Sequence, residues 1–258
     1  MEKSKKIGIV QPEIRFWSYP DIVQSLGLLI SNFGFPVLLL PHDEKTITFI
    51  RTRKFHRWGY LWFYVPRNSK VIPLHYATGC AMMIRKEVLE TVGLFNEDIF
   101  FWNDDTEFCL RALKYGFLIA CIRTAIVYHM LGTTREKVRS KFTDMIAYEK
   151  ARLITLLMTS CVESPSYLLF KALTRYIISG ILLSGYYAWF EKENFLTYFH
   201  VFLRQLIQLL KTNQRKTVRK FFQTFRIISK LRKCKNSIKL LSLSSVARLL
   251  IRQFTHKH

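Results

Sequence analysis

The residues from Gly93 to Thr134 read GLFNEDIFFWNDDTEFCLRALKYGFLIACIRTAIVYHMLGTT, and this stretch decides the fold of the 258-residue chain. It gathers a dense acidic cluster in an otherwise basic protein, within the run NDDTE that begins at Asn103. Such a run is typical of a helix start, since Asn103 or Asp104 can cap and Glu107 follows Asp104 at the spacing of a capping box. Gly116 is expected to end that helix.

Two short apolar segments follow this helix. Residues 117–121 and 125–128 are predicted to be short buried strands, with His129 just beyond the second. Carboxylates at a strand-to-helix junction lie where α/β folds place their chemistry. A purely structural explanation stays open as well, because acids at a helix N-terminus are favoured by the helix dipole and a lone histidine often only completes the packing.

Four segments carry a family pattern. They are residues 77–88 (ATGCAMMIRKEV), 93–97 (GLFNE), 102–111 (WNDDTEFCLR) and 128–129 (YH). In order and spacing, over roughly residues 7 to 135, they resemble the family 2 glycosyltransferases, in particular the rhamnosyl- and galactofuranosyl-transferase-like branch with a GT-A fold. The resemblance implies an α/β protein with a partial GT-A (Rossmann-like) domain in residues 1–135. A basic, helical, membrane-associated region in residues 136–258 would follow.

The resemblance also implies roles for individual residues. Asp105 would be the general base that deprotonates the acceptor hydroxyl in an inverting transfer, with Asp104 as its acidic neighbour. His129 would bind a divalent metal, Mg²⁺ or Mn²⁺, on the diphosphate of a nucleotide-sugar donor. The helix dipole is expected to keep Asp105 ionised. Residues expected to bind donor or acceptor are Thr78, Gly79, Trp102, Glu107 and Arg111, although Arg111 has a structural salt bridge as its alternative role.

The chain departs from the family pattern in several places. Asn96 stands where the family usually has Asp, and Leu131 where a glycine is common. The sequence contains no D-x-D motif and no glycine-rich phosphate loop. We therefore expect the chain to correspond to the second half of a transferase. Either the chain is truncated, or a separate chain carries the nucleotide-binding half. The alternative is a non-catalytic remnant or subunit that binds membrane and partners a complete glycosyltransferase.

Charge is distributed unevenly along the chain. The net charge is +22, and residues 135–258 hold 24 basic and 6 acidic residues, a net of +18. From Asn194 onward there are 15 basic residues and no acid. Basic amphipathic segments rich in Phe and Leu are typical of helices on an anionic membrane surface. Nucleic acid is the rival polyanion, but the sequence carries no helix-turn-helix, zinc or RNA-recognition signature, so we expect no nucleic-acid partner.

An uncharged run of 15 residues, YIISGILLSGYYAWF, covers residues 176–190. As a helix it would extend only about 22 Å, less than the ~30 Å hydrocarbon core, unless flanking cations snorkel. An interfacial or re-entrant helix is favoured over a true span. The expected location is the cytoplasmic face of the cell membrane, peripheral or with one short membrane helix.

Three further expectations concern the remaining sequence. Residues 7–10 should form a strand that ends at Pro12, and residues 37–40 another strand. The basic and aromatic residues 45–70 predict a surface hairpin or loop, with an acceptor-binding platform as the functional alternative. The odd number of scattered cysteines indicates buried, reduced thiols rather than a disulfide framework or zinc site.

Overall fold

The computed structural model describes residues 6–31, 34–52, 61–97, 99, 104–130, 155–156, 174–178, 180–181, 184 and 192–211. Within these ranges the protein is a mixed α/β structure, as predicted. The strands are β1 (Ile7–Phe16), β2 (Val23–Ser25), β3 (Leu28–Ile30), β4 (Pro36–Pro41), β5 (Leu61–Val65), β6 (Val71–Leu74), β7 (Met83–Ile84) and β8 (Leu118–His129). The helices are α1 (Glu44–Thr52), α2 (Lys86–Val92), α3 (Asp104–Lys114) and α4 (Lys192–Lys211).

Strand β1 is the centre of the larger sheet. It runs parallel to β8 on one side, while β2 and β7 pair antiparallel along its other side, and β6 pairs antiparallel with β8. The prediction that this strand ends at Pro12 is wrong, since it continues to Phe16. The register shows why: Pro12 lies opposite Ile122 but Glu13 opposite Ile126, so residues 123–125 bulge out of β8. Proline is tolerated inside a sheet at such an irregularity because it need not donate to the ladder.

Strand β8 is one continuous element rather than the two short buried strands predicted. Ile119, Ala120 and Cys121 are buried, whereas residues 124–128 are exposed. The apolar residues in its second half therefore do not line the core, and the expectation of a buried second strand is wrong. Hydrophobicity alone could not tell a core strand from an exposed extension of that strand.

The smaller sheet has the order β3-β4-β5, with β4 parallel to β5. The predicted strand at 37–40 is confirmed as β4. The predicted hairpin or loop at 45–70 is wrong, because α1 and β5 occupy its described parts. Ile50 on α1 is buried, and Trp62 and Tyr64 on β5 pack against the core, so these apolar side chains hold both elements in place. Residues 53–60 lie outside the described ranges.

The helix predicted to begin in the acidic cluster is confirmed as α3. Helix α2, which precedes it, ends at Gly93, whose φ of +87° is accessible to glycine and whose N–H donates to the Leu89 carbonyl. Helix α3 is followed by Gly116 at a φ of +92°. Phe108, Cys109 and Ala112 bury one face of α3 in the core shared with β1 and β6. That packing sets the position of the α3 N-terminus over the sheet.

Only part of the basic C-terminal region is described. Helix α4 buries Tyr198, Val201 and Phe202, and the Phe202 ring packs against Tyr176. Among the described residues, no helix is both long and apolar enough to cross a membrane. Most of the uncharged run at 176–190 lies outside the described ranges.

Candidate active site

Asp105 lies in the first turn of α3 and is partly buried. One carboxylate oxygen, Oδ2, accepts a hydrogen bond of 2.9 Å from the Gly79 backbone N–H. The other, Oδ1, accepts from the Thr106 backbone N–H at 2.7 Å and from the Thr106 hydroxyl at 3.3 Å. Both oxygens are thus oriented by neighbouring groups, as a reactive carboxylate requires.

Burial, the largest cause, and the negative charge of Asp104 raise the pKa of the Asp105 carboxyl, whereas hydrogen bonds from Gly79 and Thr106 lower it, since they favour the ionised form. The net result is a rise from 3.8 to about 6. A pKa near 6 leaves the group mainly ionised at neutral pH, yet basic enough to accept a proton.

The Thr78–Gly79 segment lies directly against this carboxylate. Gly79 has no positive φ, so its backbone conformation does not demand glycine. A Cβ at this position would lie 3.5 Å from the Asp105 Oδ2 atom, in ordinary contact. Glycine therefore leaves the carboxylate uncovered on this side. The neighbour of Gly79 in the structure is the Asp105 side chain, and the expected binding of donor or acceptor at Thr78 and Gly79 stays a prediction.

Glu107 and Arg111 form a buried ion pair. The Arg111 Nε and Nη2 atoms donate to the two Glu107 oxygens, both at 2.8 Å. Arg111 also donates to the Val92 and Leu94 carbonyls, at 2.8 and 2.9 Å, and so binds the end of α2. The salt bridge weighed for Arg111 in the sequence is confirmed. Because these contacts occupy both side chains, we assign the pair a structural role rather than donor or acceptor binding.

His129 lies at the end of β8, opposite Phe16 of β1. Its Nδ1 atom is 3.1 Å from the Gln24 amide oxygen, which places the proton on Nδ1 and leaves the Nε2 lone pair available. Partial burial lowers the pKa of His129, so the ring is neutral and suited to bind a metal. Gln11, beside the Asp105 site, precedes Phe16 by five residues along β1, about 17 Å. The structure therefore does not bring His129 and Asp105 into contact.

The described residues contain no group of three or more His, Cys, Asp or Glu side chains that could hold a metal ion. His129 supplies a single suitable ligand. This part of the chain therefore does not form a complete metal site by itself, and a bound ion would need ligands from the donor diphosphate or from other residues.

Two further expectations concern Trp102 and the cysteines. Trp102, predicted to bind donor or acceptor, lies outside the described residues. Cys109 and Cys121 are buried free thiols, as predicted, but Cys80 is exposed, which corrects the expectation for that residue. Desolvation and the nearby Asp105 charge raise the pKa of the Cys80 thiol to about 11, so it stays protonated at neutral pH.

Comparison with known proteins gives this geometry its context. No protein-family model matches the chain. Over 56 residues it is 41% identical to a dTDP-rhamnosyl transferase, RfbF, of Shigella flexneri, a match that covers 22% of this chain and 19% of that protein. Over 114 residues it is 25% identical to the low-salt glycan biosynthesis hexosyltransferase Agl10 of Haloferax volcanii, covering 44% of this chain and 35% of that protein.

The chain is related to glycosyltransferases. It spans about a third or less of the length of these two curated relatives. The glycosyltransferase relationship agrees with the resemblance found in the sequence.

Reasoning from the sequence did not find Gln11. This glutamine lies in the central strand β1 and is 0% exposed. Its Oε1 atom accepts from the Thr78 backbone N–H at 2.6 Å and from the Thr78 hydroxyl at 2.9 Å. A polar residue inside an otherwise apolar strand is the one local signal that could have singled it out.

Proposed function

We propose that this glycosyltransferase relative transfers a sugar from a nucleotide-diphosphate-sugar donor to a lipid-linked or polysaccharide acceptor, with inversion. Asp105 acts as the general base. The observation that carries the proposal is the Asp105 carboxylate, held by the Gly79 amide at the start of α3, with its pKa raised to about 6. A base with a pKa close to the working pH is what general base catalysis needs.

The reaction is an in-line displacement. Asp105 accepts the proton of an acceptor hydroxyl while that oxygen forms a bond to the anomeric carbon of the donor sugar. The bond between that carbon and the diphosphate oxygen breaks, and the nucleoside diphosphate leaves with the electron pair. Attack on the face opposite the leaving group inverts the anomeric configuration. Asp104 supports the base, because its negative charge raises the pKa of Asp105.

A divalent metal, Mg²⁺ or Mn²⁺, is part of the proposed function. When bound, such an ion neutralises charge on the departing diphosphate. The neutral imidazole of His129, oriented by Gln24, is the described side chain best suited to contact it. The incomplete ligand set in the described residues and the absence of a D-x-D motif in the sequence favour a second contributor, a separate chain with the nucleotide-binding half.

Helix α4 supports a location at a membrane surface. Leu196, Phe199, Leu203 and Ile207 are exposed and follow one another at helical spacing, so they form an apolar stripe on one face. The opposite side of α4 packs against Tyr176 through Phe202. From Asn194 onward the chain has 15 basic residues and no acid. An apolar stripe in a purely basic region fits an anionic lipid surface, on the cytoplasmic face of the membrane where lipid-linked acceptors are decorated.

The first test is binding of nucleoside diphosphates to the purified chain by calorimetry, with and without Mn²⁺ or Mg²⁺. Metal-dependent binding is expected from the chain alone or after a protein carrying the nucleotide-binding half is added, and nucleotide sugars should then be turned over with membrane extract as acceptor. Asp105→Asn should abolish transfer while retaining nucleotide binding and the circular dichroism of the wild type. Undiminished transfer by Asp105→Asn would exclude Asp105 as the base.

The same measurements distinguish the proposed transferase from the alternative, a non-catalytic subunit. In that case a complete transferase co-purifies with the chain, and the transfer it catalyses does not depend on Asp105. Co-purification of a protein that carries only the nucleotide-binding half would instead indicate a split enzyme. A chain that neither binds nucleotide nor gains activity with such a partner would refute the proposed transferase role.

A further inference from the structure

We propose that Gln11 is a positioning residue for the Asp105 carboxylate and acts on it through the Thr78–Gly79 segment. Its catalytic consequence rests on the proposed function, in which Asp105 is the general base. Gln11 itself touches neither Asp105 nor any reacting atom. It fixes the backbone at Thr78, and the N–H of the next residue, Gly79, orients the Asp105 carboxylate.

The contacts form a continuous series. Gln11 lies opposite Cys121 in the middle of the β1–β8 pairing, with hydrogen-bonded neighbours on both sides of β1. Its Oε1 atom accepts two hydrogen bonds from Thr78, at 2.6 and 2.9 Å. The next residue, Gly79, donates its N–H to Asp105 at 2.9 Å. A central strand thus fixes a loop, and the loop fixes the carboxylate.

Core packing does not explain why a glutamine occupies this place. Its Nε2 atom is buried and has no hydrogen-bond partner among the described residues. A buried donor without a partner is destabilising, and methionine would fill a similar volume without that donor. An acceptor placed for the Thr78 N–H and hydroxyl accounts for the glutamine, because methionine provides no comparable acceptor.

Gly79 makes such support necessary. Glycine has the greatest backbone freedom of any residue, so its N–H keeps one direction only if its neighbours are held. The groups near Asp105 that could also influence its charge are the Asp104 carboxylate on the same helix and the thiols of Cys80 and Cys109. Desolvation and the nearby Asp105 charge raise the pKa of both thiols, so they are uncharged around neutral pH. The Gly79 N–H is therefore a principal stabiliser of the ionised carboxylate.

The test compares Gln11→Met with a matched control, Ser31→Ala. Ser31 is also buried, and its hydroxyl oxygen accepts a backbone N–H, that of Phe35, but in the smaller sheet. The full chain, labelled with ¹³C at the aspartate carboxyl carbon, contains six aspartates, so the Asp105 signal can be assigned by its loss in Asp105→Asn. In Gln11→Met the titration midpoint of Asp105 should move upward by roughly one pH unit. In Ser31→Ala it should not move.

Activity provides the second readout. In Gln11→Met the acid limb of the transfer rate should shift to higher pH in parallel with the titration, with partial recovery of the rate at pH 8. A lower rate at every pH, with an unchanged Asp105 titration, would overturn the positioning role. If the wild type transfers no sugar, the proposed function fails, but the carboxyl titration still decides the role of Gln11.

If Gln11→Met does not fold, Thr78→Ala provides the test instead. This change removes the hydroxyl contact to Gln11 and keeps the backbone contact. A smaller upward shift of the Asp105 titration is expected. An unchanged midpoint in Thr78→Ala, alongside a Gln11→Met variant that is unfolded, would count against the inference.

Discussion

The Gly79 backbone N–H donates to the Asp105 carboxylate at 2.9 Å and joins the segment after β6 to the first turn of α3. These residues are 26 positions apart in the chain. The hydrogen bond favours the ionised carboxylate, while burial favours the neutral one, and burial prevails. These opposing effects leave the pKa of the Asp105 carboxyl at about 6, close to neutral pH.

The first prediction concerns pH. A general base must be ionised, and the pKa of Asp105 is about 6. The transfer rate at saturating substrate should therefore rise with pH through about 6 and level off above about 7. Asp104→Asn removes a charge that raises this pKa, so its acid limb should lie at lower pH. A rate that is flat between pH 5 and 8 would contradict the assignment.

Gly79→Ala tests access to the carboxylate. The added methyl group has room and needs no unusual backbone angle, so the melting temperature should stay within about 2 °C of the wild type. The methyl would lie 3.5 Å from Oδ2 and hinder an acceptor hydroxyl. We expect the apparent KM for the acceptor to rise and kcat/KM to fall by an order of magnitude or more. If Gly79→Ala kept the wild-type KM and kcat/KM, the acceptor would approach the Asp105 carboxylate from a side other than Gly79.

His129→Ala tests the proposed metal contact. Loss of one ligand should weaken Mn²⁺ activation by roughly 10-fold or more, read as a rightward shift of the metal titration. Gln24→Leu should give a smaller shift in the same direction, because Gln24 only orients the ring. If His129→Ala and the wild type gave identical metal titrations, His129 would be excluded as a metal ligand.

The buried Glu107–Arg111 pair should matter for stability. Arg111→Met leaves the Glu107 carboxylate buried and unpaired, and should lower the free energy of unfolding by about 3–5 kcal/mol. The double variant Glu107→Leu, Arg111→Met should recover part of that loss. Lys86–Glu90 is a matched control, since it has the same spacing but is exposed, and Glu90→Gln should change stability by less than about 1 kcal/mol. Chemical denaturation would measure the free energy of unfolding of the wild type and of these three variants.

The exposed stripe of α4 should bind lipid. Leu196→Glu with Leu203→Glu should reduce co-flotation with vesicles containing anionic phospholipid by roughly 10-fold or more. Val71→Glu is the control, because Val71 is also exposed and apolar but lies on β6. High salt should weaken the wild-type interaction. Equal flotation of the stripe variant and the control would exclude this face as the contact.

Local signals in the sequence predicted the elements around Asp105. Glycines mark the C-terminal ends of α2 and α3, and the spacing of Glu107 and Arg111 anticipates their ion pair. These features depend on residues a few positions apart, so a sequence displays them directly.

Other features depend on contacts distant in sequence. The hydrogen bonds from Thr78 to Gln11 cross 67 positions, and nothing in either neighbourhood predicts them. The pKa of Asp105 likewise follows from burial, which a helix-dipole argument does not include. Helix α1 and strand β5 were missed because residues 45–70 as a whole are rich in basic and aromatic residues, which masks the apolar strand run LWFYV at residues 61–65.

The bulge in β8 has a consequence for how this protein can change over evolutionary time. Residues 123–125 have no counterpart in β1, yet Arg123 turns back to bind the buried Glu13 carboxylate at 2.9 Å. The ion pair marks the point where the two strands resume their pairing. Insertions or deletions between Arg123 and Ile126 can therefore alter the length of β8 without shifting the alignment of Gln11 with Cys121. The end carrying His129 can therefore change in length while the neighbourhood of Asp105 keeps its structure.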